Sequence, residues 1–213
     1  MVINGKIYKG QICLVLIMGG ILASHYELLY NMIIAKTRDP STTSVLELGC
    51  SNGHFVEYLR HQGYNAEGVD GNKRAVEAYS RRQGCLHHGE LTALEDVFGE
   101  RQFDLIVARG VFCIASQMDY LFEEQLEKLV DAVIERVVNP AVRKEIDNAI
   151  RENINKILAS AYGQLKAGGF LIILEDVGFD SIDFSRETAE DIGYIVEQLE
   201  KQKALLQKPP LIK

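Results

Sequence analysis

The chain has 213 residues, of which 47% are hydrophobic and 25% are charged, a composition typical of a globular protein with its own core. Its 30 acidic and 23 basic residues give a net charge of -7 with no extended basic cluster, so a nucleic-acid partner is disfavoured. The 4 cysteines and 5 histidines lack the spacings of metal ligands or of a disulfide framework. We therefore predict free thiols in a reducing, cytoplasmic compartment and no metal site.

The N-terminal region contains an apolar run, ICLVLIMGGILA, at Ile12–Ala23. The run resembles the hydrophobic part of a signal peptide, but it is shorter than the roughly 20 apolar residues that a membrane span needs. The alternative is a buried segment at the start of the domain, and the sequence leaves both readings open. Residues 20–37 predict a helix that Asp39-Pro40 ends, because the residue before a proline avoids helical geometry.

Short apolar segments alternate with helical ones from Ser44 onward, which indicates βαβ units and a parallel sheet covered by helices on both faces. The predicted strands are Ser44–Leu48, Ala66–Val69, Cys85–His88, Phe103–Ala108 and Gly169–Leu174. The predicted helices between the first four strands are Gly53–Gln62, Lys73–Arg82 and Thr92–Phe98.

Residues 117–164 predict two helices, separated at Pro140, between the fourth and fifth strands. A crossover in such a sheet usually contains one helix with short loops, so we interpret this region as a helical insertion. It is either an extended crossover without a function of its own, or a substrate lid or the surface of a homodimer.

The segment VLELGCSNGHF, Val45–Phe55, carries the strongest chemical signal. A strand runs into a glycine turn, where Gly49 allows the backbone to approach a ligand closely. Gly53 then opens a helix, whose N-terminus attracts polar or anionic groups. Ser51 and His54 occupy the second and third glycine positions of a dinucleotide fingerprint, so NAD or FAD binding is disfavoured.

An acidic residue followed by x-Gly-x-x-x-Gly, at Glu47–Gly53, resembles the first motif of class I S-adenosylmethionine-dependent methyltransferases. Four further segments resemble later motifs of the family in the same order: Gly68-Val69-Asp70, Gly89-Glu90-Leu91, Phe103–Ala108 and Leu165–Leu171. The resemblance covers residues 44–175. It implies an α/β, Rossmann-like, doubly wound and mostly parallel seven-stranded sheet with a C-terminal antiparallel hairpin. It also implies S-adenosylmethionine as cofactor and S-adenosylhomocysteine as product.

The resemblance implies cofactor contacts at the ends of the first three strands. Asp70 would hold the ribose hydroxyls, Glu47 would lie near the methionine end, and Glu90 would accept a hydrogen bond from the adenine amino group. The other implied contacts are Gly49, Cys50 through its N–H, Ser51, Gly53, Gly71, Asn72 and Leu91. Structural alternatives are a helix cap for Asp70, a cap on the glycine loop for Glu47 and a surface acid for Glu90.

The resemblance also divides the chain into an N-terminal helical segment covering the cofactor site, residues 1–43, and a methyltransferase domain, residues 44–213. Beyond a short predicted helix, Arg186–Ile192, local propensity favours one long helix over Glu187–Leu206. The family instead ends in a hairpin. On that analogy we predict strands at Tyr194–Gln198 and Ala204–Gln207, joined by a turn at Glu200–Lys203.

No motif in this sequence identifies the catalytic residues. His25, Tyr26 and Tyr30 precede the first strand and Arg109 follows the fourth, and these four are the candidates. The fourth strand is followed by Arg109-Gly110-Val111 and not by the Asn/Asp-Pro-Pro-aromatic motif of methyltransferases acting on nucleobase or glutamine nitrogen.

The resemblance implies in-line methyl transfer from the cofactor. The missing motif and the acidic charge narrow the expected acceptor to an oxygen or nitrogen atom of a small molecule, with no membrane partner. The alternatives are a catalytically inert partner protein of the same fold, a protein or RNA methyltransferase, and, less favoured, an aminopropyltransferase or an NAD enzyme.

Overall fold

The structure is a computed structural model that describes residues 26–77, 84–112, 140–175, 184–200 and 203–211. Its strands are β1 (Ser44–Leu48), β2 (Asn65–Asp70), β3 (Leu86–His88), β4 (Phe103–Arg109), β5 (Leu165–Leu174), β6 (Ile195–Leu199) and β7 (Lys203–Gln207). They form one sheet in the order β3-β2-β1-β4-β5-β7-β6. Strands β1 to β5 are parallel, whereas β7 is antiparallel to both β5 and β6. This arrangement confirms the predicted fold class.

Six helices accompany the strands in the described ranges. They are α1 (residues 26–36), α2 (His54–His61), α3 (Lys73–Glu77), α4 (Leu94–Phe98), α5 (Pro140–Gln164) and α6 (Arg186–Ile192). Short 3-10 turns at Pro40–Thr42 and Leu91–Ala93 precede β1 and α4. The Ser185 hydroxyl accepts from the Thr188 N–H at 3.1 Å and so caps the predicted start of α6.

The core has two layers, one on each face of the sheet. On one face α4, α5 and α6 pack against side chains such as Leu46, Leu48 and Ile106. On the other face α1 and α2 pack against Val45 and Leu105 together with their neighbours. Successive residues of a strand point to opposite faces, so a strand covered on both sides is apolar throughout, as β1 and β4 nearly are.

The C-terminal hairpin is confirmed, and the long helix favoured by local propensity is absent from residues 184–200 and 203–211. Strands β6 and β7 pair from Ile195 opposite Gln207 to Leu199 opposite Ala204. Strand β7 also pairs with β5, and Ala204 and Leu206 are buried by this contact. Burial and the pairing of an open sheet edge therefore override helix propensity here.

Strand β5 begins at Leu165, four residues earlier than predicted. Residues 166–169, which have the sequence of a turn, form an irregularity inside the strand, because Phe103 pairs with Leu165 while Leu105 pairs with Phe170. A Cβ at Gly169 would lie 2.8 Å from the carbonyl oxygen of Asp104, so this close approach requires glycine.

The second helix of the predicted insertion is confirmed as α5, and the first lies outside the described residues, as does the apolar run Ile12–Ala23. Pro140 begins α5, where its missing N–H costs nothing. The apolar face of α5, including Ile150, Ile154 and Leu158, is fully buried in the core. Within the part of the chain that is described, no helix is long and apolar enough to cross a membrane.

Candidate active site

A pocket lies at the carboxyl ends of the parallel strands, where open α/β sheets bind their ligands. The loops after β1, β2, β3 and β4 form most of its wall, and α5 closes it from one side. The lining residues are Gly49, Asp70, Gly71, Glu90, Leu91, Thr92, Gly110, Val111, Asn153 and Ile157. Five of the predicted cofactor contacts are among them: Gly49, Asp70, Gly71, Glu90 and Leu91.

The loop after β1 is held in a shape that needs its glycines. Gly49 has a φ of +66°, and a Cβ there would lie 2.8 Å from Cγ2 of Val111, a neighbouring residue of the pocket lining. Gly53 has a φ of +73°, and its Cβ would lie 2.6 Å from Cδ1 of Leu86. Both residues adopt left-handed geometry that favours glycine. The result at Gly49 is a wall of bare backbone that a ligand can approach closely.

The backbone N–H groups of this loop point mainly into the protein. Those of Gly49 and Cys50 both donate to the carbonyl of Val69, at 2.9 and 3.2 Å, and that of Gly53 donates to Cys50 at 2.8 Å. The prediction that the Cys50 N–H faces a ligand is therefore wrong. A bound ligand would be cradled by the shape of the loop, with Cys50 buried beneath it.

Asp70 ends β2 and connects two loops of the pocket. Its Oδ2 accepts from the Ser51 N–H at 2.7 Å, and its Oδ1 accepts from the Asn72 N–H at 2.8 Å. A carboxylate oxygen can accept more than one hydrogen bond, so these contacts orient Asp70 and still leave it able to bind hydroxyls. The side chain of Asn72 accepts from the Ala75 N–H at 3.0 Å, so Asn72 caps α3 in place of Asp70.

Glu47 lies beneath the glycine loop and is only 4% exposed. Its Oε2 has no hydrogen-bond partner among the described residues, and its carboxylate accepts from the Val56 N–H in the first turn of α2. Burial raises the pKa of Glu47 to about 8. The negative charge of Asp70 also raises this pKa, and the positive charge of Arg109 lowers it. Glu47 thus accepts from one of the N–H groups left open in the first turn of α2, which begins after Gly53.

Two of the four catalytic candidates meet near this end of the sheet. The Arg109 guanidinium carbon lies 5.2 Å from the centroid of the Tyr26 ring, and that ring packs on Phe55 at 5.0 Å. Arg109 also contributes to the electrostatics of Glu47. Tyr26 and Arg109 therefore form a cation–π pair between α1 and the end of β4.

Tyr30, in contrast, packs at the other end of α2. Its ring meets Tyr58 and Tyr64 edge-on at 5.4 and 6.3 Å, and its hydroxyl points to Gln62 after the last turn of the helix. Burial and the two tyrosines raise its pKa. Tyr30 therefore packs among tyrosines and does not line the pocket. His25 lies outside the described residues.

Several residues of the pocket were not found by sequence reasoning: Thr92, Gly110, Val111, Asn153 and Ile157. The last two lie on α5, outside every motif, and only the four-residue spacing that places them on one helix face was visible in the sequence. Glu175 is a further missed residue. Its Oε1 accepts from the N–H groups of Val111 and Phe112, at 3.2 and 2.7 Å, and holds the pocket wall that follows β4.

Within the described ranges, no group of three or more His, Cys, Asp or Glu side chains is placed so that it could hold a metal ion.

Comparison with protein families identifies the chain. A family model described as a methyltransferase domain matches residues 23–204. The chain belongs to this methyltransferase family. S-adenosylmethionine is its cofactor, and the bare backbone at Gly49 with Asp70 beside it suits a ribose and its attached chain. No curated protein matches the sequence.

Solved structures share the methyltransferase fold at low identity. The sugar N-methyltransferase KedS8 from Streptoalloteichus sp ATCC 53650 is 12% identical, with a TM-score of 0.57 over 98% of this chain and 96% of that one. The S-adenosylmethionine-bound amino pentose methyltransferase CalS10 from Micromonospora echinaspora is 11% identical, with a TM-score of 0.52 over 87% and 90%. A TehB-like methyltransferase from Corynebacterium glutamicum is 18% identical, with a TM-score of 0.50 over 85% and 86%.

Proposed function

We propose that this methyltransferase acts on an oxygen or nitrogen atom of a small molecule. The observation that carries the proposal is the pocket itself, in which the bare backbone of Gly49 stands beside the carboxylates of Asp70 and Glu90. The net charge of -7 supports a small acceptor over a nucleic acid. Two of the structural neighbours, KedS8 and CalS10, methylate sugars according to their descriptions, which agrees with the proposed acceptor class.

Three residues define the orientation of the cofactor in this proposal. Asp70 accepts hydrogen bonds from the ribose hydroxyls, while Ser51 and Asn72 keep its carboxylate in place. Glu90 accepts from the adenine amino group. The sulfonium of the cofactor supplies an activated methyl group. The remaining work of the protein is to align the acceptor atom behind that methyl and to exclude water.

The acceptor side is proposed to lie towards α1, within the N-terminal segment 1–43. Tyr26 and Arg109 are the described side chains that flank this side. The Tyr26 hydroxyl is the group we propose to contact the acceptor, and Arg109 would attract a negatively charged part of it. An amine acceptor attacks in its neutral form and loses a proton after transfer, so such an acceptor needs no strong base.

We also propose a cytoplasmic location and a homodimer. Cys50 and Cys85 are buried and free, which fits the proposed cytoplasmic location. The described half of the insertion uses its apolar face, at Ile150 and Ile154, for the protein's own core. A homodimer through residues 117–164 stays part of the proposal, and this apolar face of α5 is not available to it.

Transfer of a labelled methyl group tests the acceptor class. The protein is incubated with methyl-labelled S-adenosylmethionine and a cell extract divided into small molecules, proteins and RNA. We expect label in the small-molecule fraction, and none there with Asp70→Ala. Label in protein or RNA overturns the small-molecule proposal. Binding of S-adenosylhomocysteine without transfer to any fraction indicates an inert partner protein instead.

A further inference from the structure

Helix α5 reaches the cofactor pocket although it belongs to the insertion and carries no family motif. Asn153 and Ile157, one helical turn apart, line the pocket opposite the loops that follow the strands. Ile157 is 2% exposed and continues into the core with Ile154 and Leu158, so the position of this face is fixed by packing. Asn153 is the polar member of the pair.

The same helix is attached to the segment that follows Glu90. It packs against the 3-10 turn Leu91–Ala93 and against α4. The Ser160 hydroxyl accepts from the Leu94 N–H at 2.9 Å, which fixes α5 to the start of α4. Glu90 precedes the 3-10 turn and Asn153 lies on α5, and these two elements are in contact. The distance between Glu90 and Asn153 is therefore restrained.

The chemistry of the polar lining explains what Asn153 adds. Asp70 and Glu90 accept hydrogen bonds when ionised and donate none. An adenine ring presents an amino group that donates, but also ring nitrogens that only accept. Recognition of its amino edge therefore requires a donor beside the acceptor Glu90, and the carboxamide of Asn153 carries two N–H donors.

We propose that Asn153 is a specificity residue of the cofactor pocket, which donates a hydrogen bond to a ring nitrogen of the adenine while Glu90 accepts from the amino group. This inference rests on the proposed cofactor contacts and extends them to the insertion. It gives the second helix of the insertion a role in selecting the nucleobase, in addition to its role as a crossover.

The test compares S-adenosylhomocysteine with S-inosylhomocysteine, in which a carbonyl replaces the amino group and the adjacent ring nitrogen carries a proton. A site built to pair with the amino edge rejects this analogue, so we expect the wild-type protein to prefer the adenine ligand at least about tenfold. Asn153→Asp replaces the donor by an acceptor of the same shape. It should weaken S-adenosylhomocysteine binding about tenfold and reduce the preference by about the same factor.

Asn155→Ala is the matched control, because Asn155 is exposed on the same helix and does not line the pocket. It should leave both dissociation constants within about twofold of wild type. Thermal unfolding without ligand reports whether each variant folds. If Asn153→Asp does not fold, the same binding comparison is made with Asn153→Ser, which keeps a hydrogen-bond donor on a shorter side chain.

A preference in Asn153→Asp that stays within twofold of wild type overturns the role of Asn153 and leaves the cofactor site intact. Failure of the wild-type protein to bind S-adenosylhomocysteine contradicts the proposed cofactor contacts, and the role of Asn153 falls with them. A reduced preference in Asn153→Asp with an unchanged Asn155→Ala supports the inference.

Discussion

Among the single residues, buried Glu47 is one whose ionisation should make the stability of the fold depend on pH. Its pKa is raised to about 8 by burial, whereas a glutamate in an unfolded chain titrates near 4.3. Between these values the folded state holds a proton that the unfolded state has released. The free energy of unfolding therefore falls as pH rises through this window, by at most about 1.4 kcal/mol per pH unit.

The substitution Glu47→Gln tests this pH dependence, because glutamine has nearly the same volume as glutamate but does not ionise. The amide stays neutral, so we expect the variant to gain stability relative to wild type as pH rises from about 5.5 to about 8.5. Urea unfolding of both proteins at several pH values measures the difference. A difference that is constant across this range would show that folding does not raise the pKa of Glu47.

Gly49 is the residue where backbone geometry and ligand approach coincide. Gly49→Ala places a methyl group at a φ of +66° and 2.8 Å from Val111, so both strain and a narrowed pocket follow. We expect a loss of about 1–2 kcal/mol in stability and at least about tenfold weaker binding of S-adenosylhomocysteine, measured by calorimetry.

Gly99→Ala separates these two effects. Gly99 also has a positive φ, +58°, but nothing lies within 4 Å of its Cβ position and it is not in the pocket. It should lower stability by a similar amount, about 1 kcal/mol, and leave the dissociation constant unchanged. Equal loss of binding in both variants would mean that strain, and not access, explains the Gly49 result.

At the scale of elements, the end of β5 supports the loop that follows β4. Glu175 is fully buried and accepts from the N–H groups of Val111 and Phe112. Glu175→Leu leaves both donors without their acceptor, at a cost of about 2–3 kcal/mol in stability. Because Val111 lines the pocket, binding of S-adenosylhomocysteine should weaken as well. Glu175→Gln keeps one acceptor oxygen and should restore most of the stability and binding, and an equal loss in both variants would contradict this support role.

The sequence predicted some of these elements correctly and missed others. The alternating strands, the glycine loop and the acidic strand ends were visible because each depends on local pattern or on a family motif. The start of β5 at Leu165 was missed because a strand irregularity opposite Phe103 looks like a turn in sequence. The direction of the Cys50 N–H was missed because a carbonyl from β2, that of Val69, accepts it.

Long-range packing accounts for the other differences. Tyr26 and Tyr30 share one helix face, but α2 runs from the pocket to the opposite end of the sheet, so only Tyr26 stays near the site. Asn153 lines the pocket because α5 packs against the 3-10 turn after Glu90, and that contact joins residues 60 positions apart or more. Neither contact leaves a signal in local composition.

For the molecule as a whole, the sheet, covered by helices on both faces, brings the ends of β1, β2, β3 and β4 to one edge. The pocket there is formed by distant parts of the chain. The chain's family establishes S-adenosylmethionine as the cofactor. The central claim is that this pocket holds the cofactor through Asp70. Binding of a ligand to the folded state alone raises stability by about 2.7 kcal/mol at 100 times its dissociation constant.

Thermal unfolding with S-adenosylhomocysteine, S-adenosylmethionine or NAD, each added separately to wild type, Asp70→Ala and Asp96→Ala, tests that claim most directly. We predict that the first two ligands raise Tm by about 5–10 °C in wild type and in Asp96→Ala, an exposed acid on α4. The shift should vanish in Asp70→Ala, and NAD should have no effect. A full shift in Asp70→Ala, or stabilisation by NAD alone, would contradict the account.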